Sequence, residues 1–164
     1  MTWYTVTVGF SLHFVRFDDE TDIDGFRRFL DERQLVLVPS EFGSELCNVH
    51  TADGEPLQLD GESRPTLLNV ADPNTSDHVS AHIERPSLTL EALRFVYDLC
   101  VAARLAIVNP QGDPDDSSYP MMLIPARNHT AQQLQQIAED TGLNHRFVDN
   151  AQELRAILVP DPAH

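Results

Sequence analysis

An α+β fold is what this sequence predicts, with antiparallel sheet covered on one face by helices. Three observations predict it. Short stretches alternate apolar and polar residues with the period of two of a half-buried strand, as in residues 5–12 and 79–84. Longer stretches repeat apolar residues at helical spacing behind capping signals, and clusters of Pro, Gly, Asn and Asp separate the segments. At 164 residues and 41% hydrophobic composition, a chain of this kind buries roughly 70% of the surface it exposes when unfolded.

Taken in order, a first strand spans residues 3–15, because Thr5, Thr7, Gly9 and Ser11 alternate with Val6, Val8, Phe10 and Leu12. Thr21 with Asp24 resembles a capping box, and Ile23, Phe26 and Leu30 follow at helical spacing, so helix one covers 22–33. Residues 35–38, before Pro39, read as a short buried strand and 45–51 as another. Asp53-Gly54 is a hairpin signal that turns this strand back toward 56–59, with one more strand at 66–70. The run Asp72-Pro73-Asn74-Thr75-Ser76-Asp77 marks an internal boundary. A strand at 79–84 follows it. Residues 87–103 form a helix apolar nearly all round, with a thin polar stripe of Glu91, Arg94 and Asp98; such a helix must be covered on several sides. A strand at 105–108, an acidic loop and a return strand at 119–124 come next. Thr130 with Gln133 opens a further helix that Gly142 ends, a last strand covers 145–148, and Asn150 with Glu153 caps a terminal helix.

From residue 78 to 158 the order is βαββαβ, the ferredoxin-like arrangement. Residues 1–71 begin in the same order without a clear second helix. Arg33-Gln34-Leu35-Val36-Leu37-Val38-Pro39 also echoes Arg104-Leu105-Ala106-Ile107-Val108-Asn109-Pro110. The expectation is two related α+β halves, the first a degenerate copy, packed as one globular unit.

Charge is the dominant global feature. There are 26 acidic and 11 basic residues, for a net charge of −15, and every base is Arg. The absence of Lys excludes Schiff-base, P-loop and lysine general-base chemistry. So negative a body repels phosphate backbones and anionic membranes, which argues against nucleic-acid and membrane partners and for a basic protein partner. The longest apolar stretch carries Asp98 and Arg104 and is too short to span a bilayer. Cys47 and Cys100 form no C-x-x-C pair and read as buried reduced thiols. With no basic segment followed by an apolar core at residues 1–5, the expected location is the cytoplasm.

The candidate chemical constellations dissolve on inspection. Residues 20–31 resemble a calcium loop, but Glu replaces Asp at its first position, Asp31 replaces the bidentate Glu, and a strand precedes it where a helix is needed. Capping accounts for Thr21, Asp22 and Asp24 more simply. His78 and His82 on one strand lie about 13 Å apart, too far to share a metal ion. Cys47 and His50 point to opposite faces of theirs. The sequence therefore predicts no catalytic residue, no metal and no cofactor.

What remains is three acidic clusters: Asp18, Asp19, Glu20, Asp22 and Asp24; Asp53, Glu55, Asp60 and Glu62; and Asp113, Asp115 and Asp116. All lie where turns and helix starts favour Asp for local reasons. Asp113, Asp115, Asp116, Asp18, Asp19, Glu20, Asp53 and Glu55 are the expected partner contacts, the 113–116 loop first because it exceeds what a hairpin requires. The resulting expectation is a non-enzymatic protein, monomer or dimer, with the physical character of an immunity protein or inhibitor that covers the cationic cleft of a nuclease-like toxin. The alternative is a small-molecule-binding or enzymatic α+β domain with a pocket between sheet and helices, since one fold hosts many functions.

Overall fold

In the computed structural model, which describes residues 11–18, 20–40, 46–59, 66–74, 79–84 and 86–159, the alternating and periodic segments become twelve elements. They are β1 (Ser11–Val15), α1 (Ile23–Glu32), β2 (Leu35–Pro39), β3 (Leu46–Thr51), β4 (Leu67–Ala71), β5 (Ala81–Glu84), α2 (Leu90–Ala103), β6 (Ala106–Val108), β7 (Met122–Pro125), α3 (Ala131–Thr141), β8 (His145–Val148) and α4 (Ala151–Leu158). The expected strand over residues 3–10 lies outside the described residues.

Helix ends follow the side chains that satisfy them. Asp22, one place beyond the expected Thr21, caps α1 by accepting the Gly25 N–H at 2.7 Å. Thr89 caps α2 through the Ala92 N–H at 3.2 Å. The capping box at α3 forms as its sequence predicts, with Gln133 N–H on Thr130 Oγ1 at 3.1 Å and Thr130 N–H on Gln133 Oε1 at 2.7 Å. Gly142 ends that helix in the left-handed region, at φ +64°. The helix exits at Gln34 and Arg104 are left-handed too, at φ +56° and +60°. These two residues sit one place out of register in the sequence echo, so what the echo shares is a way of leaving a helix for a strand.

The eight strands form a single mixed sheet in the order β2-β3-β4-β5-β1-β6-β7-β8, antiparallel throughout except for the parallel pair β7 and β8. Alternation fixes which side chains face the core. Leu12 and Phe14 of β1, Leu68 and Val70 of β4, Ala81 and Ile83 of β5, Ile107 of β6 and Leu123 of β7 point to one side, where Phe26, Leu93, Val96, Tyr97 and Leu154 from α1, α2 and α4 complete the main core. Helix α2 is covered by α1, by α4 and by the sheet, as its apolar circumference requires. Its Tyr97, fully buried, donates its hydroxyl to the Val148 carbonyl at 2.7 Å.

Two expectations about arrangement are corrected. The helices do not share one face: Ile137 of α3 packs with Ala106, Met122 and Ile124 in a second, smaller core on the opposite side of the sheet. Crossover handedness explains this. The chain moves from β5 to β6 and from β7 to β8 in the same direction across the sheet, but β5 and β7 point opposite ways, so right-handed crossovers place α2 and α3 on opposite faces. The second half also does not close a βαββαβ sheet of its own. Strand β1 from the first half lies between β5 and β6, and β8 pairs parallel to β7 at the sheet's edge. Element order constrains neighbours in sequence and leaves a strand from elsewhere free to insert. Locally, the expected strand at 56–59 reduces to one bridge between His50 and Pro56, and the return strand starts at Met122, with 113–119 in loop.

Candidate functional site

The acidic loop between β6 and β7 is the most elaborately built of the expected contact regions. Asn109, only 5% exposed, donates Nδ2 to the Pro120 carbonyl at 2.8 Å and accepts the Gln111 N–H at 3.1 Å. Gly112 leaves no room for a side chain, since a Cβ there would lie 2.6 Å from Met121 Cα. Asp113 and Asp116 each spend one carboxylate oxygen on a local turn, accepting the N–H of Asp115 and of Ser118 at 2.9 Å. Across the loop's base, Asn144 Nδ2 lies 2.7 Å from the carbonyls of Asp113 and Asp116 and 3.1 Å from that of Tyr119. The loop is thus pinned by a residue between α3 and β8. Its three carboxylates are exposed, and none has an arginine within 4.0 Å among the described residues.

The other expected contacts divide between two ends of the sheet. Asp53 and Glu55 occupy the turn after β3, where Gly54 takes φ +86° and Thr51 accepts the Gly54 N–H at 2.9 Å. By strand register this turn lies at the same end of the strands as the 109–121 loop, with β4, β5 and β1 between them. Asp18 and Glu20 follow β1 at the opposite end. Asp18 is committed internally: it accepts Arg104 Nη2 at 2.6 Å and the Glu20 N–H at 2.9 Å. Arg104 also stacks over the Phe17 ring at 5.1 Å, and its Nε lies 3.6 Å from Glu20 Oε2. This pair fastens the left-handed exit of α2 to the end of β1. Asp19 lies outside the described residues, as do Asp60, Glu62 and His78.

The alternative expectation of a pocket between sheet and helices named no residues, and the groove found on the helical side lies instead between helices and a turn. A cavity of about 350 Å³ lies between α1, α2 and the turn at 126–128, lined by Asp22, Arg28, Glu32, Arg33, Asp98 and Arg127. A second, of about 250 Å³, shares Asp98 and Arg127 with it and adds Arg94, Tyr97 and Asn150. Asp98 joins them, bonded by Arg127 Nη2 at 2.5 Å and Arg33 Nη2 at 3.5 Å. Arg33 stacks on Phe29 at 4.0 Å and Arg127 on Tyr97 at 4.8 Å. Its one sequence signal was the polar stripe of α2, which forms the shared wall.

Both cysteine thiols are held in their protonated form. Burial raises both thiols, Cys100 entirely within the core and Cys47 with help from Asp72. On the open face of the sheet His82 stacks on His13 at 5.4 Å, meets Asn69 Nδ2 at 3.3 Å and lies 3.8 Å from Glu84. Burial, then His13, lowers the pKa of His82 below its ordinary 6.5 against an opposing pull from Glu84. Burial and then Arg104 lower that of His129, with Asp18 opposing. Both histidines therefore bind protons less readily when folded. Their contribution to stability is complete above about pH 6.5 and declines as pH falls below it. The thermal midpoint is expected to drop between about pH 7.5 and 5.5, with a smaller drop in the His82→Gln, His129→Gln double variant. Identical profiles for the two proteins would remove these histidines from the acid sensitivity. Among the described residues no group of three or more His, Cys, Asp or Glu could hold a metal ion.

No family model matches the chain, and neither a curated protein nor a solved structure does. No helix among the described residues is long and apolar enough to cross a membrane.

Proposed function

We propose that this chain is a non-enzymatic acidic binding protein that neutralises a basic, nuclease-like protein in the cytoplasm by covering its cationic cleft, in the manner of an immunity protein. The observation that carries the reading is the 113–119 loop, whose carboxylates are exposed and without an arginine partner among the described residues, and whose main-chain carbonyls are held by Asn144. A loop ordered before binding loses little entropy on docking. Its carboxylates would take the places of substrate phosphates, accepting charge-assisted hydrogen bonds from arginines and lysines of the partner.

The footprint centres on Asp113, Asp115 and Asp116. Asp53 and Glu55 lie four strand positions away, roughly 19 Å at strand spacing. An ordinary interface covers roughly 800 Å² per partner, a patch about 30 Å across, so one partner can span both clusters. Asp18 and Glu20, at the other end of the strands, fall outside that patch and serve the Arg104 anchor instead.

The test is the Asp115→Arg, Asp116→Arg double variant, measured for association with the basic protein captured by the native chain from its host. Association at low salt is expected to slow about tenfold or more, with the thermal midpoint unchanged, because electrostatic steering acts on the encounter and loop substitutions cost little stability. Unaltered association kinetics would remove the loop from the interface.

A further inference from the structure

We infer that the groove between α1, α2 and the turn at 126–128 binds a small polyanion, a metabolite carrying at least two phosphate or carboxylate groups. This goes beyond the protein-binding reading and uses the opposite end of the strands from the 113–119 loop. The first support is where the arginines are. Of the 11 in the chain, Arg28, Arg33, Arg94 and Arg127 line two adjoining cavities, against the carboxylates of Asp22, Glu32 and Asp98. In a chain of net charge −15, the side chains that line these cavities carry four positive charges against three negative ones. Asp22 has also given one oxygen to the cap of α1, and Asp98 is held by two guanidinium groups.

Donor capacity is the second support. A guanidinium carries five N–H donors, and Arg33 and Arg127 each give one bond to Asp98. Arg28 and Arg94 make no hydrogen bond or ion pair with any described residue. Arg33 and Arg127 are nevertheless held in place, one over Phe29 and the other over Tyr97, whose own hydroxyl is locked to the Val148 carbonyl. Oriented guanidinium groups with unspent donors suit bidentate recognition of phosphate or carboxylate.

Geometry sets the ligand's form. The cavities, about 350 and 250 Å³, are of metabolite size and meet at Asp98 and Arg127. One anionic group would sit among Arg28, Arg33 and Arg127. A second would reach Arg94 and the start of α4 at Asn150, where helix N–H groups and the helix dipole add attraction. Asp98, bridging Arg33 and Arg127, holds the two arginines in a fixed relation to each other.

The experiment is calorimetric titration of the full chain with inorganic pyrophosphate and, separately, with citrate, at constant ionic strength set by sodium chloride. Saturable one-to-one binding of either probe is expected. Pyrophosphate alone would assign phosphate groups and citrate alone carboxylates. Arg33→Gln and Arg127→Gln should each weaken binding at least tenfold. Arg28→Gln, a substitution that breaks no bond among the described residues, should weaken it severalfold in a protein of unchanged thermal midpoint. Arg146→Gln, at an exposed position of β8 outside the lining of both cavities, should leave it unaltered. The inference is overturned if neither probe binds, or if Arg146→Gln weakens binding as much as Arg28→Gln, since attraction would then be diffuse. Either result leaves the reading of the 113–119 loop standing, because no residue is shared.

Discussion

Replacing Gly25 with Ala is expected to destabilise the protein by about 2–3 kcal/mol, although the substitution improves helix propensity. Gly25 sits in the first turn of α1 against the last turn of α2. A Cβ built there would lie 2.2 Å from the Ala102 carbonyl oxygen and 2.6 Å from Asp22 Oδ2. The first neighbour is backbone in a buried helix and cannot swing aside. The second is the side chain that caps α1, and the same segment is tied to α2 by the Asp22 N–H bond to Ala103 O at 3.2 Å. Two effects therefore compete. Ala gains up to about 1 kcal/mol of intrinsic helical preference, while overlap forces the two helices apart and opens the packing of Phe26 and Phe29 beneath them. Overlap is the larger effect. Urea unfolding measures the difference, and a higher midpoint for the Ala variant would mean that the helices separate without loss.

Phe14→Ala is expected to cost about 3–5 kcal/mol, and its neighbour His13→Ala less than about 1 kcal/mol. The two residues are adjacent in β1, but alternation sends them to opposite faces. Phe14 is fully buried in the main core, whereas the exposed His13 stacks on His82 on the open side. Since small proteins hold about 5–15 kcal/mol of net stability, the Phe14 variant should show a strongly depressed thermal midpoint while the His13 variant melts near the native temperature. Equal losses would show that the open side of the sheet is packed as tightly as the core side.

Local features were legible in the sequence to the extent that local physics decides them. The Thr130 and Gln133 box, the Gly142 stop, the alternation of β5 and the wrapped character of α2 all depend on residues within a few positions of one another. The insertion of β1 between β5 and β6 depends instead on contacts far apart in the chain, as does the placing of α3 on the other face. The same division runs through the candidate sites. The 113–116 loop could be found because its three acids fall within four residues, but nothing near Asp18 announced that Arg104 would claim it. A pocket could be named as an alternative but not placed, because the arginines of the groove come from three separate segments and only Arg94 and Asp98 of the polar stripe on α2 pointed to it.

The position of β1 bears on how the chain is made. Synthesis delivers this strand before both of its hydrogen-bonded neighbours, β5 and β6. On the ribosome, Leu12 and Phe14 must wait unsheltered until α2 and the strands flanking it have emerged, so the centre of the sheet is completed late and by distant encounters. Assembly of this kind is slow for its length, and an unfinished polypeptide offers sticky apolar surface to holdase chaperones and to other nascent chains.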